Sequence, residues 1–202
     1  MEANKIKLMH RVLLFVICIA GFNFFAIAQE SKTPPSFLLP KPDFTITVTH
    51  DYRKGDVISI ISLERMFIKS PDAQNEPIGF DSLFAYDEKF KFVSLPFISF
   101  YSFAEKCRFP EKPDTTFIVD GEPIMISSAP EAAIRGEGIA TSFSEPESGK
   151  CQDSLSVILP LKTYLKIAAA KSSIEIRTGK LRFQLNEMHL KALNELARRM
   201  VQ

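Results

Sequence analysis

Residues 115–126 have the sequence TTFIVDGEPIMI, and this stretch decides the expected fold class. Two apolar runs, Thr115–Val119 and Ile124–Ile126, flank the pair Asp120-Gly121. Asp-Gly supplies the positive φ that a tight reversal of the chain needs, so the stretch predicts a β-hairpin, whose turn Pro123 can displace.

The segments before this hairpin are also typical of strands. Asp43–Thr49 alternates apolar and threonine side chains with a period of two, and Val57–Ile68 is rich in β-branched residues. Ser70–Pro77 is polar and predicts a loop. Phe90–Phe103 carries apolar side chains on both parities, which predicts a strand covered on both faces, with Pro96 at an edge or a bulge.

Downstream of the hairpin, the pattern changes from strands to helices and strands together. Ala129–Gly138 predicts a loop, and Asn186 is placed to cap a last helix. The remaining predicted elements are strands at Ile139–Phe143 and Leu155–Leu159, a helix at Pro160–Lys171, a hairpin from Ser173–Arg177 and Leu181–Leu185, and a helix from Glu187 to about Val201. We therefore expect a mostly β (β-rich α+β) domain of about eight antiparallel strands, a sandwich or partly closed barrel, with two C-terminal helices packed on the sheet.

The first residues predict export from the cytoplasm. Three basic residues precede the apolar run 12–28, which ends in Ala26-Ile27-Ala28, a small-x-small pattern that signal peptidase accepts. The rival interpretation is an uncleaved anchor, but the run has 17 residues and a spanning helix needs about 20. The predicted organisation is a cleaved signal at 1–28, a proline-rich lead-in at 29–42 and a single β-rich domain at 43–202, exported to the periplasm or the medium, with no membrane span after cleavage.

Charge and cysteine content narrow the classes of function. Residues 29–202 hold 22 Lys+Arg and 23 Asp+Glu, which leaves no electrostatic footprint for nucleic acid. They also keep two cysteines, Cys107 and Cys151, in polar stretches typical of turns. Because the expected compartment is oxidising, we predict a disulfide between them, and the absence of a C-x-x-C spacing disfavours a redox pair.

The C-terminal third resembles the ending of a group of exported bacterial proteins with no assigned activity. The residues that carry the resemblance are Ile167–Lys171, Ile174–Gly179, Phe183–Leu185 and Leu190–Leu193, with Phe117–Gly121 upstream. This chain lacks the tryptophan that such proteins often carry before the Asp-Gly turn. The resemblance implies a bacterial envelope setting and a β-rich fold, and it implies no activity.

Few residues are suited to catalysis or metal binding. Beyond the signal there are two histidines, which we interpret as a solvated turn residue, His50, and an exposed helix residue, His189. A zinc site needs three or four ligands. The two histidines are distant in sequence and the two cysteines are expected to form a disulfide, so a zinc site is disfavoured. No serine lies in a Gly-x-Ser-x-Gly elbow. Neighbouring acids such as Asp120 with Glu122 do not oppose each other across a substrate. We therefore predict no cofactor, no metal site and no catalytic residues.

Phenylalanine is abundant: 14 of the 18 lie beyond the signal. Most are expected in the core. The alternative is an apolar cavity for a small ligand, lined by Phe90, Phe92, Phe97, Phe100 and Tyr101. The leading functional hypothesis is a non-enzymatic exported domain that binds an unknown protein, followed by a carrier of a small apolar ligand and, third, a hydrolase.

Overall fold

The computed structural model of the protein describes residues 44–53, 56–68, 77–87, 89, 92–147 and 149–201, and for 53, 56, 92 and 147 it describes the backbone alone. All of these residues belong to one compact unit. The predicted signal and the proline-rich lead-in lie outside the described residues.

The described residues form strands and helices in the following order. The strands are β1 Ile46–Arg53, β2 Asp56–Ile68, β3 Ile78–Asp87, β4 Phe92–Val93, β5 Phe97–Ala104, β6 Thr115–Val119, β7 Glu122–Ile126, β8 Ile139–Glu147, β9 Lys150–Ile158, β10 Ile174–Thr178 and β11 Leu181–Leu185. The helices are α1 Pro130–Ile134, α2 Leu161–Ala168 and α3 Glu187–Met200.

The strands pair into two antiparallel sheets. In the large sheet the order is β1-β2-β3-β5-β9-β8, with β4 attached to β3, and in the small sheet it is β11-β10-β6-β7. The large sheet is open, with β1 and β8 as its edges, so the two sheets form a sandwich-like α+β fold and no closed barrel. The predicted fold class, mostly β with C-terminal helices, is confirmed.

The core lies between one face of the large sheet and a layer made by the small sheet with α2 and α3. Phe100 of β5 meets Phe183 of β11 with ring centroids 4.9 Å apart, and meets Phe80 of β3 at 5.8 Å. All three side chains are buried. Burying a ring of this size stabilises the fold by about 1.5–3 kcal/mol, so this cluster is a main source of cohesion between the layers.

Helix α3 begins at a capping box. The Asn186 side chain accepts from the backbone N–H of His189, and His189 Nδ1 accepts from the backbone N–H of Asn186, each at 3.1 Å. Because two otherwise unpaired donors are satisfied, the helix start is well defined. The prediction that His189 is exposed was wrong: it is 1 % exposed and its ring contacts Phe80 edge-on. It lies three and four residues before buried Ala192 and Leu193, so it continues the apolar face.

Several local predictions were also wrong. Strand β3 was missed entirely, so the described residues hold eleven strands where about eight were expected. Residues 130–134 form the one-turn helix α1 instead of a loop. The expected strand Phe90–Phe103 is interrupted, since Pro96 lies between β4 and β5. Cys151 lies in β9, because the strand pairing continues past the expected loop.

A candidate docking face on the large sheet

The disulfide and a buried carboxylate hold the chain where it crosses from the large sheet to the small sheet. Cys107, just after β5, is joined to Cys151 of β9 with their Cα atoms 5.1 Å apart. Two residues further along β9, Asp153 accepts from the backbone N–H groups of Arg108 and Phe109. These contacts anchor the segment that follows β5, so we assign the cysteines a structural role. A disulfide is compatible with an oxidising compartment.

The large sheet has a second face, opposite the core, which we call the outer face. Successive side chains of a strand point to opposite sides. In β5, therefore, Ile98 and Phe100 point into the core, whereas Phe97, Ser99 and Tyr101 belong to the outer face. The pairing registers carry this division to the neighbouring strands.

One line of paired residues crosses the outer face and alternates aromatic and small side chains. In the order β2, β3, β5, β9, β8, this aromatic row is Phe67, Gly79, Tyr101, Ser154 and Phe143. Phe67 is 62 % exposed and Phe143 is 65 % exposed. Since adjacent strands lie about 4.8 Å apart, neighbouring rings of the row are roughly 10 Å apart. Large apolar side chains are thus exposed to solvent on the outer face, whereas side chains of the same kind are buried on the core face.

A charged cluster of Arg65, Asp81 and Tyr101 lies beside the row. The Arg65 guanidinium is 4.0 Å from the centroid of the Tyr101 ring, within cation–π distance. Gly79 makes this crossing possible, because a Cβ at that position would lie 3.0 Å from Cδ of Arg65. The arginine stem therefore runs over β3 to reach a ring on β5.

Burial dominates the electrostatics of this cluster. It raises the pKa of Asp81 to about 6, against the opposing effects of the Arg65 charge and of the hydrogen bond from the Tyr101 hydroxyl. Burial, and then the neighbouring Asp81 charge, also raises the pKa of Tyr101. Oδ1 of Asp81 is buried and makes no hydrogen bond within the described part of the chain. This oxygen is therefore an acceptor without a donor among the described residues, and its own chain covers it.

Of the five predicted cavity residues, the structure describes the side chains of Phe97, Phe100 and Tyr101, and these three do not lie together. Phe97 and Tyr101 belong to the outer face, whereas Phe100 is buried in the core on the other side of the sheet. The side chain of Phe92 and the whole of Phe90 lie outside the described residues. Any apolar ligand that contacts Phe97 and Tyr101 would therefore lie on the outer face, away from Phe100.

Sequence reasoning missed Arg65, Phe67, Asp81 and Phe143 as site residues. For Phe143 the sequence did carry a signal. It lies three residues after Ala140, the core-facing residue of the same predicted strand, and an odd separation along a strand places two side chains on opposite faces. Phe67 and Arg65 gave no comparable signal, because a β-bulge between Leu63 and Met66 changes the parity of β2.

The neighbouring acids considered for catalysis have structural partners. Asp120 accepts from the backbone N–H groups of residues 171–173, and these bonds hold its pKa well below the ordinary range. Glu122 forms an exposed ion pair with Lys166 at 2.9 Å. Both contacts connect the β6–β7 hairpin to α2 and the loop after it.

A shallow pocket of about 260 Å³ lies at the edge of the small sheet, beside β7. Its two carboxylates already have partners: Asp114 accepts from Ser128, and Glu137 is paired with Arg135 at 2.8 Å. Its other lining residues are Thr115, Thr116, Met125, Ile126 and Ser127. We therefore regard the outer face as the stronger candidate site.

No three or more His, Cys, Asp or Glu residues among the described residues gather closely enough to hold a metal ion. No helix in this part of the chain is long and apolar enough to cross a bilayer.

Comparisons with known proteins were made for the whole chain. No protein-family model, no curated protein and no solved structure matches it. The outer face and the charged cluster are therefore the features of this chain that bear on its function.

Proposed function

We propose that this chain is an exported, non-enzymatic binding domain that docks another protein on the outer face of its large sheet. The single observation that carries the proposal is the aromatic row, with two rings more than half exposed on an ordered sheet. Exposed apolar patches of this kind mark interaction surfaces in soluble proteins.

The chemistry of the outer face suits a protein surface. Aromatic residues and arginine are the types most enriched where binding energy concentrates, and the face offers Phe67, Tyr101, Phe143 and Arg65 together. Phe103, one step further along β5, is 53 % exposed and extends the patch. Each half-exposed ring that becomes buried on docking contributes about 1 kcal/mol. The exposed Arg65 beside the row adds a positive charge that can contact a partner.

The predicted signal at 1–28 supports an exported setting, in the periplasm or outside the cell, and the disulfide is compatible with it. Catalysis is not required for this role. Turnover of a substrate by the purified protein, abolished by a single substitution, would instead favour the hydrolase that ranks third.

Site-specific photocrosslinking in cells that express the full chain tests the proposal. A photoreactive phenylalanine analogue is placed at Phe143 on the outer face, and in a control chain at Met125, which is 81 % exposed on the small sheet. We expect a discrete protein adduct from position 143, identified by mass spectrometry and lost when Tyr101→Ser is added. Equal adducts from both positions, or none from position 143, would contradict the proposal.

A carrier of a small apolar ligand is the second candidate, because Phe97 and Tyr101 share the outer face with the exposed Phe103. A fluorescent fatty acid titrated into the purified protein distinguishes the two functions. Saturable one-to-one binding that Phe103→Ser abolishes would favour the carrier, whereas weak binding that Phe103→Ser leaves unchanged would favour protein docking.

A further inference from the structure

We propose that the protein docked on the outer face is a second copy of this chain, related to the first by a two-fold axis parallel to the strands and midway between β5 and β9. This inference rests on the proposed function, since it names the partner of the same face. It predicts a face-to-face dimer in which β3, β5, β9 and β8 of each copy are covered.

The alternation in the aromatic row is what makes the face self-complementary. In a two-fold interface the same patch serves both copies, so residue i meets j and j meets i. The proposed axis exchanges β5 with β9 and β3 with β8. It therefore sets Tyr101 opposite Ser154 of the second copy, and Phe143 opposite Gly79 of the second copy. Tyr101 thus faces a small residue, and Phe143 faces the Arg65 stem that crosses Gly79, in two sheets packed about 10 Å apart.

The same operation also sets polar side chains opposite one another. The next line of pairs on the outer face runs Asp81, Ser99, Ser156, Thr141. The axis sets Asp81 opposite Thr141 of the second copy. The Thr141 side chain is exposed and would cover the charged cluster, so polar groups meet polar groups along this line.

A third line of pairs is apolar on both sides of the axis. It consists of Leu83, Phe97, Ile158 and Ile139, all partly buried. The axis sets Phe97 opposite Ile158, and Leu83 opposite Ile139, of the second copy. Apolar groups thus meet apolar groups, and the polar line lies between two apolar ones.

Arg65 fits the same arrangement. Its stem crosses Gly79, the position that Phe143 of the second copy would oppose. The guanidinium is then enclosed between the Tyr101 ring of its own chain and the incoming ring, an arrangement that favours cation–π contact.

The covered area is enough for a stable but modest dimer. Four strands about 4.8 Å apart, each covered over about eight residues with a rise of about 3.4 Å, span on the order of 500 Å² per copy before side-chain relief is counted. The total, about 1,000 Å² or more, reaches the lower limit for a specific interface. We therefore expect a dimer that dissociates on dilution.

Met125 provides a control for Phe143. It is 81 % exposed and lies on the small sheet, outside the four-strand overlap. Sedimentation equilibrium of the purified protein beginning at residue 29 should show dimerisation that Phe143→Ser weakens at least about 30-fold and Met125→Ser weakens less than about threefold. A circular dichroism melt checks that both variants fold.

A charge rescue tests the predicted opposition of Asp81 and Thr141. Thr141→Asp places a second carboxylate against Asp81 of the other copy and should weaken dimerisation at least about tenfold at pH 7.5. Adding Asp81→Asn should recover most of that loss. Rescue by Asp81→Asn requires the two positions to meet across the interface, since within one chain they are three strands apart.

The outcomes separate this inference from the proposed function. A chain that stays monomeric up to roughly 100 µM, or equal effects of Phe143→Ser and Met125→Ser, would overturn the dimer. If the monomer still gives an adduct with a different protein at position 143, the proposed function stands. If it gives no adduct, both fail.

Discussion

The two faces of the large sheet are built from the same strands but differ in their exposure to solvent. On the core face, Phe80 and Phe100 are fully buried against the small sheet and α3. On the outer face, Phe67 and Phe143 remain more than half exposed. The comparison shows that apolar content alone does not locate a core, because what decides burial is the presence of a second layer.

Truncating a ring on each face gives the largest expected contrast. Phe100→Ala removes contacts with Phe80 and Phe183 and leaves a cavity, so we expect it to lower the free energy of unfolding by about 4 kcal/mol. Phe143→Ala on the outer face should change it by less than about 0.5 kcal/mol in the monomer. Urea unfolding of dilute protein measures both, and comparable losses would show that the outer face is covered within the monomer.

Removing the disulfide tests how far the core face depends on its covalent anchor. The double variant Cys107→Ser/Cys151→Ser frees a loop with a sequence separation of 44. We expect a loss of about 2–4 kcal/mol, because the unfolded chain regains loop entropy. Asp153 still holds the backbone of Arg108 and Phe109 in this variant. Urea unfolding with and without reductant gives the value, and a wild type insensitive to reductant would contradict the expectation.

His189 connects the start of α3 to the core face. His189→Ala loses half of the capping box and leaves a cavity beside Phe80, so we expect a loss of about 2 kcal/mol at pH 8. His189→Gln is the matched control, since glutamine at this position can still accept from the Asn186 N–H and should cost less.

The pH dependence of this residue has a definite sign. Burial lowers the pKa of His189, while the Phe67 carbonyl acts weakly in the opposite direction. That carbonyl does not make a hydrogen bond of normal geometry, because Nε2 is without one among the described residues. The folded state therefore binds the proton less readily than the unfolded state. The contribution of neutral His189 to the free energy of unfolding is therefore complete above pH 6.5 and decreases as the pH falls below that value. His189→Gln should remove this pH dependence.

Asp81, on the outer face, has the opposite pH dependence and a smaller expected effect than the core substitutions. Its pKa is raised from 3.8 to about 6. The contribution of Asp81 to the free energy of unfolding is therefore complete below pH 3.8 and is lost as the pH rises through 6. Asp81→Asn should raise the free energy of unfolding by about 1–2 kcal/mol at pH 7.5 and by little at pH 4. Asp120→Asn, which removes a carboxylate with a lowered pKa, should lower stability at neutral pH. Urea unfolding between pH 4 and 8 compares them, and a parallel profile for Asp81→Asn and wild type would contradict the assignment.

Much of the fold was predictable because it depends on local backbone chemistry. The Asp-Gly pair does form the turn between β6 and β7, with both residues at positive φ, and Asn186 does cap α3. The site was less predictable. Gly79 gave no turn signal, since its role is to leave space for Arg65, which comes from a neighbouring strand. Its importance depends on register, which local patterns do not contain.

The sequence by itself determined the strand and helix periods, the turn residues, the cap and the cysteine pairing, because each follows from short-range geometry or from the number of partners available. Tertiary structure alone decided which parity of β5 faces the core, that His189 is buried, and that Arg65, Asp81 and Tyr101 meet. Those outcomes depend on which distant strands become neighbours and on which face a second layer covers, and the physical reason is that burial is a property of the assembled layers.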